Sequence, residues 1–249
     1  MAIFDSHFHI IDPRFPLQEN QGFCPEPFPI SAYKDWVKKL GVEGGAVVSG
    51  SFQGCDTTYL TSALADLGPE FVGVAQLNPS ITDEELQNLH KQGVRAICFN
   101  IKRCGMEVLS HLESFGKRVY DQNGWHVELY IDAKDLPEIK PTILRLPKVS
   151  IDHLGLSEEG LPLLLDLVSK GVKVKATGFG RLNFDPLPAL RQIFCENESA
   201  LMFGTDLPST RAKRPFYQDD IELITQNFSK TEAQKILFEN GSSFYRNDS

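Results

Sequence analysis

The chain has 249 residues, a formal net charge of −8, 41% hydrophobic and 23% charged residues. That is the balance of an ordinary soluble protein, at a length where one α/β barrel buries about 75% of the surface its unfolded chain exposes. No stretch approaches the roughly 20 apolar residues that cross a bilayer, and the acidic balance works against nonspecific binding to nucleic acid or anionic membranes. Cys24, Cys55, Cys98, Cys104 and Cys195 are odd in number and show no Cys-x-x-Cys spacing, so reduced thiols are expected rather than a disulfide framework or zinc finger.

Met1 leads directly into a strand over residues 3–9 with no basic leader or apolar signal core before it, which gives the expectation of a cytoplasmic protein. Period-two geometry places Asp5, His7 and His9 on one face of that strand, so two imidazoles project side by side at its carboxyl end. A loop rich in Pro and Phe follows over 11–29, and short apolar runs then alternate with amphipathic segments to the end. Strands are read at 46–51, 71–77, 94–101, 126–131, 149–152, 172–177 and 201–203. Helices are read at 33–40 after Ser31, at 60–67 after Thr58, from Thr82 through Lys91, and at 107–122, 135–144, 161–169, 187–196, 219–228 and 231–237. Eight βα units predict a single parallel (β/α)8 barrel over residues 1–249, with an open doubly wound sheet as the other architecture. No Gly-x-Gly-x-x-Gly follows the first strand, which disfavours nucleotide binding.

In such barrels chemistry sits at the carboxyl ends of the strands. There the sequence places His7, His9, Ser51, Asn100, Lys102, Tyr130, Asp132, His153, Arg181 and Asp206. Three histidines and an aspartate suit activation of water at a carbonyl. His126 lies at the start of its strand, where it reads as a stabilising residue, and His90 and His111 read as surface residues of helices.

These motifs resemble the amidohydrolase superfamily, and more narrowly the amidohydrolase-related proteins that include 2-pyrone-4,6-dicarboxylate lactonase, fuconolactonase and sulfomuconolactonase. Asp5-Ser6-His7-Phe8-His9, Gly124-Trp125-His126, Ile151-Asp152-His153-Leu154-Gly155, Thr177-Gly178-Phe179-Gly180-Arg181-Leu182 and Gly204-Thr205-Asp206 carry the resemblance, which runs nearly end to end. It implies a barrel of the distorted amidohydrolase type and hydrolysis of a lactone of a sugar acid or an aromatic-catabolism intermediate. Asp206 would be the general base, and His7, His9 and His153 would orient the water and polarise the carbonyl. No cofactor is required on that reading. The alternative is one divalent metal such as zinc, held by His7, His9, His153 and Asp206, since catalytic zinc takes three protein ligands and keeps a position open.

Metal-dependent members of the superfamily usually add a Lys or Glu after the fourth strand and a His after the fifth. Here Asn100 and Tyr130 or Asp132 stand there, and Lys102 reads as a loop lysine that binds substrate or water. Basic residues near the proposed mouth predict a small anionic substrate: Lys102, Arg103 and Arg181, with Arg211, Lys213 and Arg214 in the last loop. Arg181 matches the resemblance, whereas two further arginines of the pyrone-dicarboxylate enzymes are replaced by Cys98 and Leu156. A lactone with one carboxylate therefore fits better than a dicarboxylate. Ser51, Asn100 and Tyr130 are further lining candidates. The competing readings are a zinc-dependent amidohydrolase or decarboxylase and a barrel that binds a metabolite without turnover; the oligomeric state stays open.

Overall fold

A computed structural model describes residues 1–104 and 106–246. Eight strands, β1 (Ile3–Phe8), β2 (Val42–Val48), β3 (Phe71–Ala75), β4 (Val94–Phe99), β5 (His126–Leu129), β6 (Val149–Ile151), β7 (Lys173–Ala176) and β8 (Leu201–Phe203), pair in parallel and in sequence order. Just past the last strand, Asp206 N–H donates to His7 O and His9 N–H to Leu207 O, each at 2.7 Å, and these bonds draw β8 onto β1. The result is a nearly closed (β/α)8 barrel, as the alternation of elements predicts.

Parallel strands covered on both faces need apolar residues on both. The larger cluster lies between strands and outer helices, while Phe4, Ala46, Val48, Val72, Val74, Ala96 and Met202 form a second cluster with Phe244 and Tyr245 of the final helix, Asn240–Arg246. That helix is absent from the sequence reading, which stops at 237. It closes the barrel opposite the candidate site because two aromatic side chains that would otherwise be wet find an apolar socket there.

Other boundaries moved for local reasons. The predicted strand 46–51 begins four residues earlier, because Gly45 serves as a close-contact position rather than a break: a Cβ there would lie 2.5 Å from Asp5 O. The predicted strands at 71–77, 94–101 and 126–131 end earlier, at Ala75, Phe99 and Leu129, and just past two of those ends Asn100 and Tyr130 line the cleft. The first helix spans Ile30–Leu40 after Pro29, so it starts three residues before the predicted 33 and takes in Ser31. Thr82 caps its helix as expected: Thr82 Oγ1 accepts from Glu85 N–H at 3.2 Å and Glu85 Oε2 accepts from Thr82 N–H at 2.8 Å. The helix read at 107–122 is a 3₁₀ segment, Met106–His111, followed by Leu112–Asn123. Among the described residues no helix is long and apolar enough to cross a membrane. Cys24, Cys98 and Cys195 are free thiols; the Cys104 side chain lies outside the described part.

Candidate active site

His7 at the end of β1, His9 just beyond it, Asp152 and His153 after β6, and Asp206 after β8 are all buried at one end of the barrel. The His7 ring centroid lies 5.1 Å from that of His9 and 4.8 Å from that of His153, and the Tyr130 ring stands edge-on to His153 at 5.2 Å. Asp206 Oδ1 is 3.9 Å from His7 Nε2 and 3.8 Å from His9 Nε2. Both Asp206 (φ 60°) and His153 (φ 52°) hold left-handed backbone, a strained conformation for such residues that turns them in from their strand ends. Gly178 (φ 61°) lies against them: a Cβ there would stand 2.5 Å from His153 Nδ1 and 3.1 Å from Asp206 Oδ2.

Beneath these groups is a charged network with no exposure at all. Lys175 of β7 pairs with Glu128 of β5, lies 3.4 Å from Asp152 Oδ1 and 3.2 Å from His7 Nδ1. Glu128 also accepts from Tyr245 OH and bonds His126 Nε2 at 3.0 Å. Burial works against charge on Lys175, but Glu128 and Asp152 outweigh it and hold the ammonium above its usual pKa. Burial likewise opposes charge on Glu128, and Lys175 reverses that effect. Arg181 donates from Nε and Nη2 to the two oxygens of Asp206, at 2.7 and 2.8 Å, so this buried carboxylate has its own counter-charge.

The three imidazoles are neutral near pH 7. Burial pushes His7 well below its ordinary value, with Lys175 and His9 adding to it; burial does the same to His153, aided by Arg181; and His9 is lowered by burial against the pull of Asp206. Their partners assign the tautomers. His9 Nδ1 is 2.7 Å from Val48 O, which only accepts, so Nδ1 carries the proton and Nε2 presents a lone pair beside Asp206. At His7 the relation is reversed, because the Lys175 ammonium only donates: Nδ1 accepts and Nε2 carries the proton.

Two sets of three donors, His7, His9 and Asp206, and His7, Asp152 and His153, bring their ligand atoms within 4.8 Å of one another. His9 suits a metal, since its outer nitrogen is anchored and its inner one is free. His7 and Asp206 are engaged: His7 Nδ1 lies 3.2 Å from the Lys175 ammonium and 3.6 Å from Asp152 Oδ1, and both Asp206 oxygens accept from Arg181. A hydrogen-bonded carboxylate keeps lone pairs for water or a metal, so Asp206 and His9 fit a divalent ion by type and bonding, and His7 would join them only with its proton on Nδ1.

The sequence profile described as Amidohydrolase matches residues 4–246. The chain belongs to the amidohydrolase family. Among curated relatives of this amidohydrolase is the 2-pyrone-4,6-dicarboxylate hydrolase of Comamonas testosteroni, 29% identical over 97% of the chain and 89% of the relative. The 4-sulfomuconolactone hydrolase of Hydrogenophaga intermedia is 23% identical over 97% and 88%. Among solved structures, a probable 2-pyrone-4,6-dicarboxylic acid hydrolase from Acinetobacter baumannii superposes with a TM-score of 0.83 at 23% identity, covering 98% of this chain and 99% of that one.

Of the residues singled out in the amidohydrolase sequence, His7, His9, His153, Ser51, Asn100, Arg103, Tyr130 and Arg181 line one cleft over Asp152. Asp206 is fully buried against Arg181 and is not itself among the lining residues. Lys102 is not brought there; it bonds Asp132 at 3.0 Å, and Asp132 also accepts from Ser157. Of the last-loop cations, Arg211 lines the cleft, Arg214 pairs with Asp220 at 2.6 Å, and Lys213 N–H bonds Gly180 O. His126 is buried with Glu128, away from the cleft. His90 departs from its surface reading: its Nδ1 accepts from the indole N–H of buried Trp125 at 3.0 Å. Lys175, Glu128 and Tyr245 were missed. A signal for the first two was present, because Lys and Glu in the middle of short barrel strands have no solvent to face and must pair with each other.

Proposed function

We propose that this amidohydrolase opens a lactone that carries a carboxylate, with Asp206 as the base and without a bound metal. The observation that carries the reading is the buried Asp206 carboxylate beside the free Nε2 of His9 and the Nε2–H of His7, an acceptor pair and a donor at one point of the cleft. The names of the curated relatives, both hydrolases and one a lactone hydrolase by name, support the substrate class.

In this mechanism water donates one hydrogen bond to Asp206 and one to His9 Nε2, which points its lone pair at the carbonyl carbon. Asp206 takes the proton as the new C–O bond forms. The His7 Nε2–H, with His153 beside it, stabilises the oxyanion. Collapse of the tetrahedral adduct breaks the ring C–O bond, and the proton on Asp206 passes to the leaving oxygen. Arg181 offsets the carboxylate charge in the closed site, so its part is to keep Asp206 in place.

Binding of the substrate carboxylate passes to Arg103 and Arg211. Both line the cleft, and among the described residues neither pairs with an acidic group. Arg211 is held by donation to Asn20 and by the Phe23 ring 4.4 Å beneath its guanidinium. Burial, then the charges of Arg103 and Arg181, lower its pKa, so three cations stand close together at this side of the cleft.

Metal content by plasma emission spectrometry, paired with hydrolysis of a carboxylated γ-lactone before and after chelation, tests the proposal. Little metal and chelator-resistant ring opening is the expected result. One zinc per chain with chelator-sensitive turnover would replace it with the zinc-dependent reading.

A further inference from the structure

We infer that a second compartment, opening beside Cys98 and Asn100, binds an uncharged, hydroxyl-bearing carbon arm of the substrate; this rests on the proposed lactone chemistry. The cleft over the histidines offers a cavity of about 50 Å³. A closed apolar cavity that takes up benzene measures about 150 Å³, so a ring with substituents extends past the cleft. The adjoining compartment measures about 240 Å³ and shares Cys98, Phe99 and Asn100 with it.

The two spaces differ in chemistry. Arg103, Arg181 and Arg211 face the first. Among the described residues the second is lined by no Asp, Glu, Lys or Arg; its polar groups are the carboxamides of Gln76, Asn78 and Asn100 and the imidazole of His111, set among carbon groups such as Leu77 and Phe115. At the junction stands Cys98, whose thiol burial pushes well above its ordinary value, with Glu128 and Asp152 adding to the effect, so it is neutral. A carboxylate entering here would lose its water without meeting a guanidinium or an ammonium. A carbon chain gains by leaving water. The Gln76 Oε1 is buried without a hydrogen-bond partner, and a hydroxyl on the arm supplies the donor it lacks. The substrate then lies with its carboxylate toward the arginines, its ring over His7 and Asp206, and its neutral arm past Cys98.

The probes are a γ-lactone carboxylate without an arm and the same ring bearing a propyl or a 3-hydroxypropyl arm. In the wild type each buried methylene raises kcat/KM about threefold, so the armed lactones exceed the bare one by at least tenfold. Leu77→Trp, at a half-buried position of the wall, collapses that ratio to near one. Gln76→Leu removes only the preference for hydroxypropyl over propyl. Equal kcat/KM for bare and armed lactones in the wild type, or an arm advantage that survives Leu77→Trp, overturns the proposal. If none of the three lactones is opened, the lactone reading fails by itself, and saturation-transfer NMR with the hydroxypropyl probe decides on the compartment. Arm protons saturated in the wild type and not in Leu77→Trp uphold it; their absence in the wild type refutes it.

Discussion

The Lys175 ammonium stands 3.2 Å from His7 Nδ1, and through that contact a fully buried lysine governs which nitrogen of a cleft histidine bears a proton. The same ammonium pairs with Glu128 and lies beside Asp152, so it joins the barrel's stability to its chemistry. Removing it leaves two carboxylates in a place without water. Breaking a buried pair from one side costs about 3–5 kcal/mol. Lys175→Met is expected to lose that much in urea unfolding, and the double variant with Glu128→Gln to recover about half of it. A loss under 1 kcal/mol in the single variant would mean that the network carries no net charge.

Asp206→Asn tests the base. The amide oxygen keeps one of the two bonds from Arg181 and the backbone bond from residue 206 to His7 O remains, but the buried guanidinium loses its counter-charge, so the fold should be kept at a cost of about 3–5 kcal/mol. Loss of general base catalysis removes about 10²–10⁴ from kcat with a small change in KM. A kcat within tenfold of the wild type on a lactone that the enzyme opens would remove Asp206 from the mechanism.

The barrel was legible because β3 and β8 and most of the other strands are short apolar runs at βα spacing, and an eight-membered alternation has few other solutions. The ends of the strands were less so. Asn100 and Tyr130 sit in apolar context and read as strand, yet Asn100 Oδ1 accepts from Arg103 N–H in the turn that follows, and the Tyr130 ring stands against His153. His7, His9, His153 and Asp206 were found from position alone, since polar residues at carboxyl ends converge when a sheet closes. Lys175 and Glu128 escaped because their meaning is pairwise: each looks like a misplaced surface residue until β5 and β7 bring them together. The tautomers of His7 and His9 lie further beyond the sequence, because the partners that assign them are Lys175, 168 residues away, and the backbone carbonyl of Val48.

Arg103→Ala and Arg211→Ala separate binding from chemistry. Each removes one guanidinium at the mouth and no group that touches the reacting bond, so KM for a carboxylated lactone should rise about tenfold per substitution with kcat nearly constant. The rise should shrink as salt screens the partly exposed cations. The expected signature is an unchanged KM for a lactone with no carboxylate. If that neutral lactone is affected equally, the arginines shape the mouth without reading charge.

Stability should fall as the pH drops below 6.5. Burial lowers His7 and His153 well below their ordinary value, and lowers His126 to about 4 despite its bond to Glu128. These imidazoles are neutral when folded but protonate below 6.5 when unfolded, so in that window unfolding takes up protons and acid favours it. For His126 alone the span from 6.5 to about 4 is worth about 3 kcal/mol. Asp5 acts with the opposite sign. Burial raises it to about 6 against the bonds it accepts from Thr205 and Tyr33, so its contribution is present at low pH and lost as the pH rises through about 6. His9 is lowered as well, so four uptakes against one release leave roughly two to three protons taken up near pH 5.5, a slope of about 3–4 kcal/mol per pH unit. Calorimetric unfolding in buffers of different ionisation enthalpy measures that number directly. His126→Phe, with its ring kept against Phe244 and Tyr245, should lower it by about one. A wild-type stability that is flat or rising from pH 6.5 to 5 would show that the buried histidines are already protonated in the folded enzyme.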